Sequence, residues 1–187
     1  MTGEITSLSE RRWPLSPLLE IRLHADRLEA WAPDGLERRI ALEQVTEVRL
    51  SVEPAGPQSR VVCRVTGPDG EIVFSSYRAE KSGWSDNALA FQRLLVALHR
   101  QLAARAGAVR FVEGQSLKFR VIMSAAGGAI LAAALAFSAY MLIDRSNLVL
   151  ALAGAPFMVV GAALAWAFRP GRPAPYDPEK LIERFGG

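Results

Sequence analysis

Two histidines, one cysteine and a scatter of carboxylates are what the chain offers to acid–base, metal or thiol chemistry. His24 falls on the polar face of an alternating stretch, and His99 flanks the apolar stripe of a helical one. Two such distant imidazoles fall short of the three or four ligands a metal site takes. There is no cysteine pair, no His-Glu-x-x-His, no glycine-rich phosphate loop after a strand and no Gly-x-Ser-x-Gly. Cys63 alternates with Val61 and Val65, the position of a buried structural thiol; as the one cysteine it excludes an intramolecular disulfide. Ser75-Ser76-Tyr77 reads as a strand end, and Glu43, Glu47, Glu71 and Glu80 show no pairing. These residues predict a protein that is not an enzyme and takes no cofactor and no metal.

What the chain does specify is a pair of apolar runs, 121–143 and 148–168, each without a charged residue, joined by Asp144-Arg145-Ser146-Asn147. At 1.5 Å per residue each run reaches about 32–34 Å, enough for a hydrocarbon core of ~30 Å, so a two-helix transmembrane hairpin is expected. Neither run carries Asp, Glu, Lys, Arg or His, which argues against a pump or transporter. Arg110, Lys118 and Arg120 precede the hairpin, and Arg169, Arg172, Lys180 and Arg184 follow it, while Arg145 in the turn is balanced by Asp144. The excess of cations outside the hairpin predicts that both termini are cytoplasmic, and the lack of a secretory signal together with the short turn suits a multi-pass protein of the bacterial inner membrane. Leu117, Lys118, Phe119, Arg120, Trp166 and Arg169 are the expected membrane-interface residues. Ser124, Gly128, Ala132 and Ala136, four apart, and Gly161 and Ala165, also four apart, form small-residue stripes suited to helix–helix packing or to a second copy. Pro156 frees the carbonyl of Leu152 and predicts a kink.

Upstream of residue 118 acidic and basic residues balance, so the net charge of +3 arises at the membrane flanks and is no footprint for nucleic acid. Residues 1–17, rich in turn formers and lacking an apolar run, read as a flexible arm with no secretory signal, Gly3 included and with Trp13 as the one large apolar group. A period of two then sets in. Leu19, Ile21 and Leu23 alternate with Glu20, Arg22 and His24, and further strands follow over 27–32, 39–52, 61–66 and 71–77. Pro33-Asp34-Gly35, Pro54-Ala55-Gly56-Pro57 and Gly67-Pro68-Asp69-Gly70 are turns, and Glu43-Gln44 breaks the longest stretch. Ser82 to Asp86 punctuates. Phe91, Leu94, Leu95, Leu98 and Leu102 then recur at helical spacing over 87–106. The expectation for 18–107 is a bent antiparallel sheet or partial barrel of five to six strands capped by one amphipathic helix. A connector over 108–120 leads to the hairpin, in which Val109 and Phe111 can add an edge strand. The tail, 169–187, holds a short helix with Asp177 as cap, Pro178 in its first turn, Leu181, Ile182 and Phe185 on one face and Gly186 as stop; it is too short to stand alone and should dock. The whole is an α+β membrane protein.

This order of strands followed by one long helix, carried by residues 20–31, 39–52, 60–77 and 87–106, resembles the pleckstrin-homology-like fold, which also occurs beside transmembrane helices in bacterial membrane proteins. The resemblance covers about half the chain and implies a binding domain. Seven strands are usual in that fold, against five or six here. In its lipid-reading members the first strand–turn–strand is basic, whereas His24-Ala25-Asp26-Arg27 includes a carboxylate. Together these features predict a non-enzymatic membrane protein that presents a small cytoplasmic domain for protein binding or assembly. The alternatives are a structural accessory subunit of a larger membrane complex, or a lipid-binding module. Expected partners are the lipid bilayer and a protein, or another copy of this chain through the small-residue hairpin.

Overall fold

The computed structural model describes residues 4–55, 57–81, 83–105, 107–171 and 173–185. Gly3, Gly56, Ser82, Ala106, Arg172 and Gly186, used in the sequence reading, lie outside the described residues. The chain forms two compact units: one runs to Gly114 and resumes at Ala174, and the other spans Gln115 to Pro173.

The first unit is mixed α and β. Strands β1 (Glu4–Glu10), β2 (Leu19–His24), β3 (Arg27–Ala32) and β4 (Gly35–Ala41) make a four-stranded antiparallel meander. The break expected at Glu43-Gln44 is a 3-10 turn, Leu42–Gln44. Strands β5 (Glu47–Ala55), β6 (Gln58–Gly67) and β7 (Gly70–Ser75) follow as a second meander. Gly70 closes the β6–β7 turn at φ +120°, a conformation that side chains resist. Strands β8 (Tyr77–Glu80) and β9 (Gly83–Asp86) form a small hairpin where the sequence suggested only punctuation.

Strand register explains the core. Val48 sits opposite Val65 and Leu50 opposite Cys63; Cys63 then pairs with Phe74 and Val65 with Ile72. Cys63, Val65, Phe74, Ile21, Leu23 and Leu28 are fully buried. Val61 shares their face but lies beyond the core and is 37% exposed. Helix α1 (Ala88–Ala103) buries Phe91, Leu94, Leu95, Leu98 and Leu102 against both meanders, with the Phe74 and Phe91 rings 5.7 Å apart. Each such side chain contributes about 2 kcal/mol, which a 16-residue helix needs to persist. The Arg105 guanidinium donates to the carbonyls of Leu42 and Glu43, both at 2.6 Å, and so ties the end of the helix to the 3-10 turn.

The flexible arm expected over 1–17 is corrected: its residues from Glu4 to Glu10 form β1, paired with β2. The polar composition concealed the period, because the inward positions are Leu8 and a buried carboxyl, Glu10. Glu10 is anchored by the Ser75 amide at 2.7 Å, and the Asn87 side chain donates to the Ser9 carbonyl at 2.8 Å. In the connector, the strand expected around Val109 and Phe111 forms as β10 (Arg110–Glu113), which runs parallel to β5.

In the second unit, helix α2 (Leu117–Ile143) starts four residues before the expected span, with the Ser116 hydroxyl accepting from the Phe119 amide at 3.2 Å. The return is split into α3 (Leu148–Leu152) and α4 (Ala155–Ala167), the break falling between Leu152 and Pro156 as the missing amide requires. Helix α2, and α3 with α4 taken together, are long and apolar enough to cross a membrane. The chain then rejoins the first unit through β11 (Ala174–Pro175), antiparallel to β10, and α5 (Pro178–Phe185), which packs on α1.

Candidate functional site

Among the residues expected at a membrane interface, Leu117, Lys118, Phe119 and Arg120 form the first turn of α2 rather than a connector. Phe119 meets the edge of Phe168 at 5.8 Å. Trp166 is 71% exposed, with the Arg169 guanidinium 5.5 Å from its ring. An apolar ring beside a cation at the end of a span is an arrangement found at headgroup level.

Ser124 and Ala165 meet, the Ser124 hydroxyl donating to the Ala165 carbonyl at 3.2 Å, and Gly161 packs against Gly127 and Leu131. Gly128 and Ala132 do not join them. The glycine in the contact is Gly127, where a Cβ would come within 2.5 Å of the Ala165 nitrogen and 2.8 Å of the Gly161 oxygen. Nothing lies within 4 Å of the corresponding position at Gly128, and Ala132 is exposed. Ser124, Gly127, Leu131, Ala134 and Ser138 alternate by three and four, which holds one face of a helix; steps of four drift by about 40° each. Gly154 makes room for Ser138, whose hydroxyl donates to the Ala151 carbonyl at 2.7 Å beside the break. The hairpin thus closes on Gly127, Gly154 and Gly161, while Leu135, Leu142, Val149, Phe157 and Val159 stand exposed.

In the first unit a groove of about 460 Å³ runs along α1 between β1 and α5. Ile5, Leu89, Val96 and Phe185 supply its apolar lining, and Arg93 and Arg100 its charge. Leu89 is 73% exposed, Ile5 50% and Phe185 41%. Helix α1 presents Leu89, Arg93 and Arg100 because its stripe of core residues leaves the opposite flank outward, while Ile5 comes from β1 and Phe185 from α5. The Gln92 amide donates to the Phe185 carbonyl at 2.8 Å, so α5 forms a wall of the groove.

Two buried polar clusters escaped the sequence reading. The His99 ring, fully buried, bonds the Leu95 carbonyl and the Tyr176 hydroxyl, each at 2.7 Å. Burial lowers its pKa to about 4 against the opposing bond to Leu95, so the ring is neutral; Nδ1–H donates to Leu95 and Nε2 accepts from Tyr176. The Tyr176 amide donates to Phe111, and the three rings of His99, Phe111 and Tyr176 pack together. This latch holds the tail. Glu29, 3% exposed, accepts from Arg27, Arg39 and Trp31 at 2.7–2.9 Å, with His24 at 3.3 Å. Burial pushes its carboxyl up, but these bonds and charges outweigh it and bring the pKa to about 2. Both clusters join residues distant in sequence or on the outer strand face, and the one available signal was a histidine or carboxylate beside an apolar run.

No family model matches the chain. No curated protein matches it either. Among solved structures it is similar to the hSac2 domain from human phosphoinositide phosphatase Sac2, at 12% identity and a TM-score of 0.38, over 61% of this chain and 76% of that one. A likeness of that degree carries no argument about function.

Proposed function

We propose that this is a non-enzymatic protein of a bacterial inner membrane, in which the hairpin anchors a cytoplasmic α+β domain that binds a partner protein through the groove along α1. The observation that carries this reading is the groove itself: Leu89, Ile5 and Phe185 remain exposed beside Arg93 and Arg100. Exposed apolar groups rimmed by charge are the composition of a protein-binding surface. Its partner supplies apolar side chains and carboxylates. A pleckstrin-homology-like architecture belongs to the same proposal. It is supported by the seven strands of two meanders, four and three, followed by a helix that covers both.

The membrane assignment draws on the outer surface of the hairpin, where Leu135, Leu142, Val149, Phe157 and Val159 stand exposed, which favours an apolar surround. Cations at both outer ends support cytoplasmic termini. A second reading, an accessory subunit of a larger membrane complex or a homo-oligomer, draws on Gly128 and Ala132, small residues on a part of α2 that α4 does not cover. The deciding experiment is purification of the full-length chain in mild detergent, with mass spectrometry, for the wild type and Leu89→Arg. A stoichiometric partner lost in the folded Leu89→Arg protein supports the groove. A partner retained there shifts the contact to the hairpin, and a solitary chain overturns both readings.

A further inference from the structure

On the outer face of β5–β7, away from the groove, a pocket of about 220 Å³ is lined by Glu10, Arg12, Glu53, Arg60 and Arg64 with Trp13, Val62, Val73 and Ser75. Its charges form an alternating chain. Arg12 meets Glu71 at 3.4 Å, Glu71 meets Arg64 at 3.7 Å, and Glu53 bridges Arg64 at 2.5 Å and Arg60 at 3.2 Å. Three guanidinium groups thus face two carboxylates. One positive charge is left over, and Glu10 is the group beside it.

Glu10 is poorly placed to supply the missing negative charge. It is 1% exposed and accepts one firm bond, from the Ser75 amide. The Ser75 hydroxyl has a single proton, and its shortest contact is with the Tyr77 carbonyl at 2.6 Å, an obligate acceptor. Toward Glu10, at 3.1–3.2 Å, the hydroxyl therefore presents lone pairs, which welcome a protonated carboxyl and repel an ionised one. Burial raises the Glu10 pKa to about 7, against the lowering effects of the Ser75 amide, Arg60 and Arg12. Arg60, 7% exposed, stacks on Trp84 at 4.7 Å and keeps a buried Nε with no hydrogen-bond partner among the described residues.

We propose that this pocket binds a monocarboxylate with a small apolar body, which takes over the charge of Glu10 as Glu10 takes up one proton from solvent. A singly charged ligand neutralises the cluster, whereas a dianion leaves a net negative charge in a poorly solvated site. A planar carboxylate also matches the guanidinium edge. The cavity is below the size of most drug-like sites, which fits a small acid or one acidic side chain of a peptide. Val62, Val73 and Trp13 receive the apolar part. The groups facing Glu10 are Arg12 after β1, Arg60 on β6 and Ser75 on β7, with Glu53, Arg64 and Glu71 behind them; among the described residues no further titratable group lines the pocket.

Titration calorimetry on the full-length chain in detergent tests this, with benzoate and a blocked Ala-Glu-Ala tripeptide as probes and inorganic phosphate as the competing anion. Binding should be about tenfold weaker at pH 8 than at pH 6, because the competent, protonated fraction falls by about that factor. In Glu10→Gln, which is permanently neutral, the affinity should be the same at both pH values and equal to that of the wild type at pH 6. The tighter of the two probes names the source of the carboxylate, free acid or protein. Circular dichroism at both pH values secures the fold. Absence of saturation by both probes, pH dependence that survives in Glu10→Gln, or phosphate binding tighter than either probe overturns the proposal.

Discussion

Glu10 and Glu29 are both buried carboxyl groups, and their surroundings send them in opposite directions. Glu29 has three donors around it, so its contribution to stability is present at neutral pH and is lost as pH falls from about 4.5 through about 2. Glu10 is held well above its ordinary value near 4.5, so the folded protein loses stability as pH rises from there through about 7 and is level above it. The span corresponds to about 3 kcal/mol. Glu10→Gln should therefore raise stability by up to about 3 kcal/mol at pH 8 and leave it nearly unchanged at pH 5, measured by denaturant unfolding followed by tryptophan emission. A variant that destabilises at both pH values contradicts this account. Tyr176→Phe removes the one donor to the buried His99 Nε2. It should cost about 1–3 kcal/mol and speed tryptic cleavage at Lys180, seen as a mass loss from the C-terminus. Unchanged cleavage would remove the latch.

Among the elements, the helical hairpin gives the sharpest contrast. A Cβ at Gly161 would lie 2.7 Å from the Leu131 nitrogen and 2.9 Å from the Gly127 oxygen, backbone atoms that move only if the helices part. Gly161→Ala should lower the resistance of the hairpin to unfolding by about 1–3 kcal/mol in a dodecyl sulfate titration. Gly128→Ala should stay within about 0.5 kcal/mol. The reverse order of effects would restore the four-residue stripe as the packing face. That stripe was legible as composition but not as geometry: α2 has glycine at both 127 and 128, and sequence alone does not say which faces the partner helix. In the domain, helix α1 was legible because five apolar residues recur at one period, whereas β1 was not, since one of its inward groups is a carboxyl.

At the scale of the molecule, the hairpin is an insertion between two paired strands. The chain leaves the domain after β10 and returns on β11, with Glu113 opposite Ala174 and Val112 opposite Pro175. The tail is therefore part of the domain, and α1 covers the sheets of its own chain. The proposed orientation predicts that Ser146→Cys in a Cys63→Ser background reacts with a membrane-impermeant maleimide on intact spheroplasts, while Asp34→Cys reacts only after lysis. Labelling of Asp34→Cys before lysis would invert the topology.

The sequence by itself determined the apolar spans, the break at Pro156, the alternation of the central strands and the stripe of α1. Each of these is a local period set by backbone geometry and by the number of residues per repeat. It also pointed to a buried Cys63, which is fully buried. Only the tertiary structure decided that Glu10 reaches Ser75, that His99 meets Tyr176, that Arg12, Arg60 and Arg64 converge, and that Gly127 rather than Gly128 touches the second helix. Apart from Arg60 and Arg64, which share a face of β6, these partners are tens of residues apart. No period links them, and what brings them together is strand register and helix rotation, both set by the packing of the whole core.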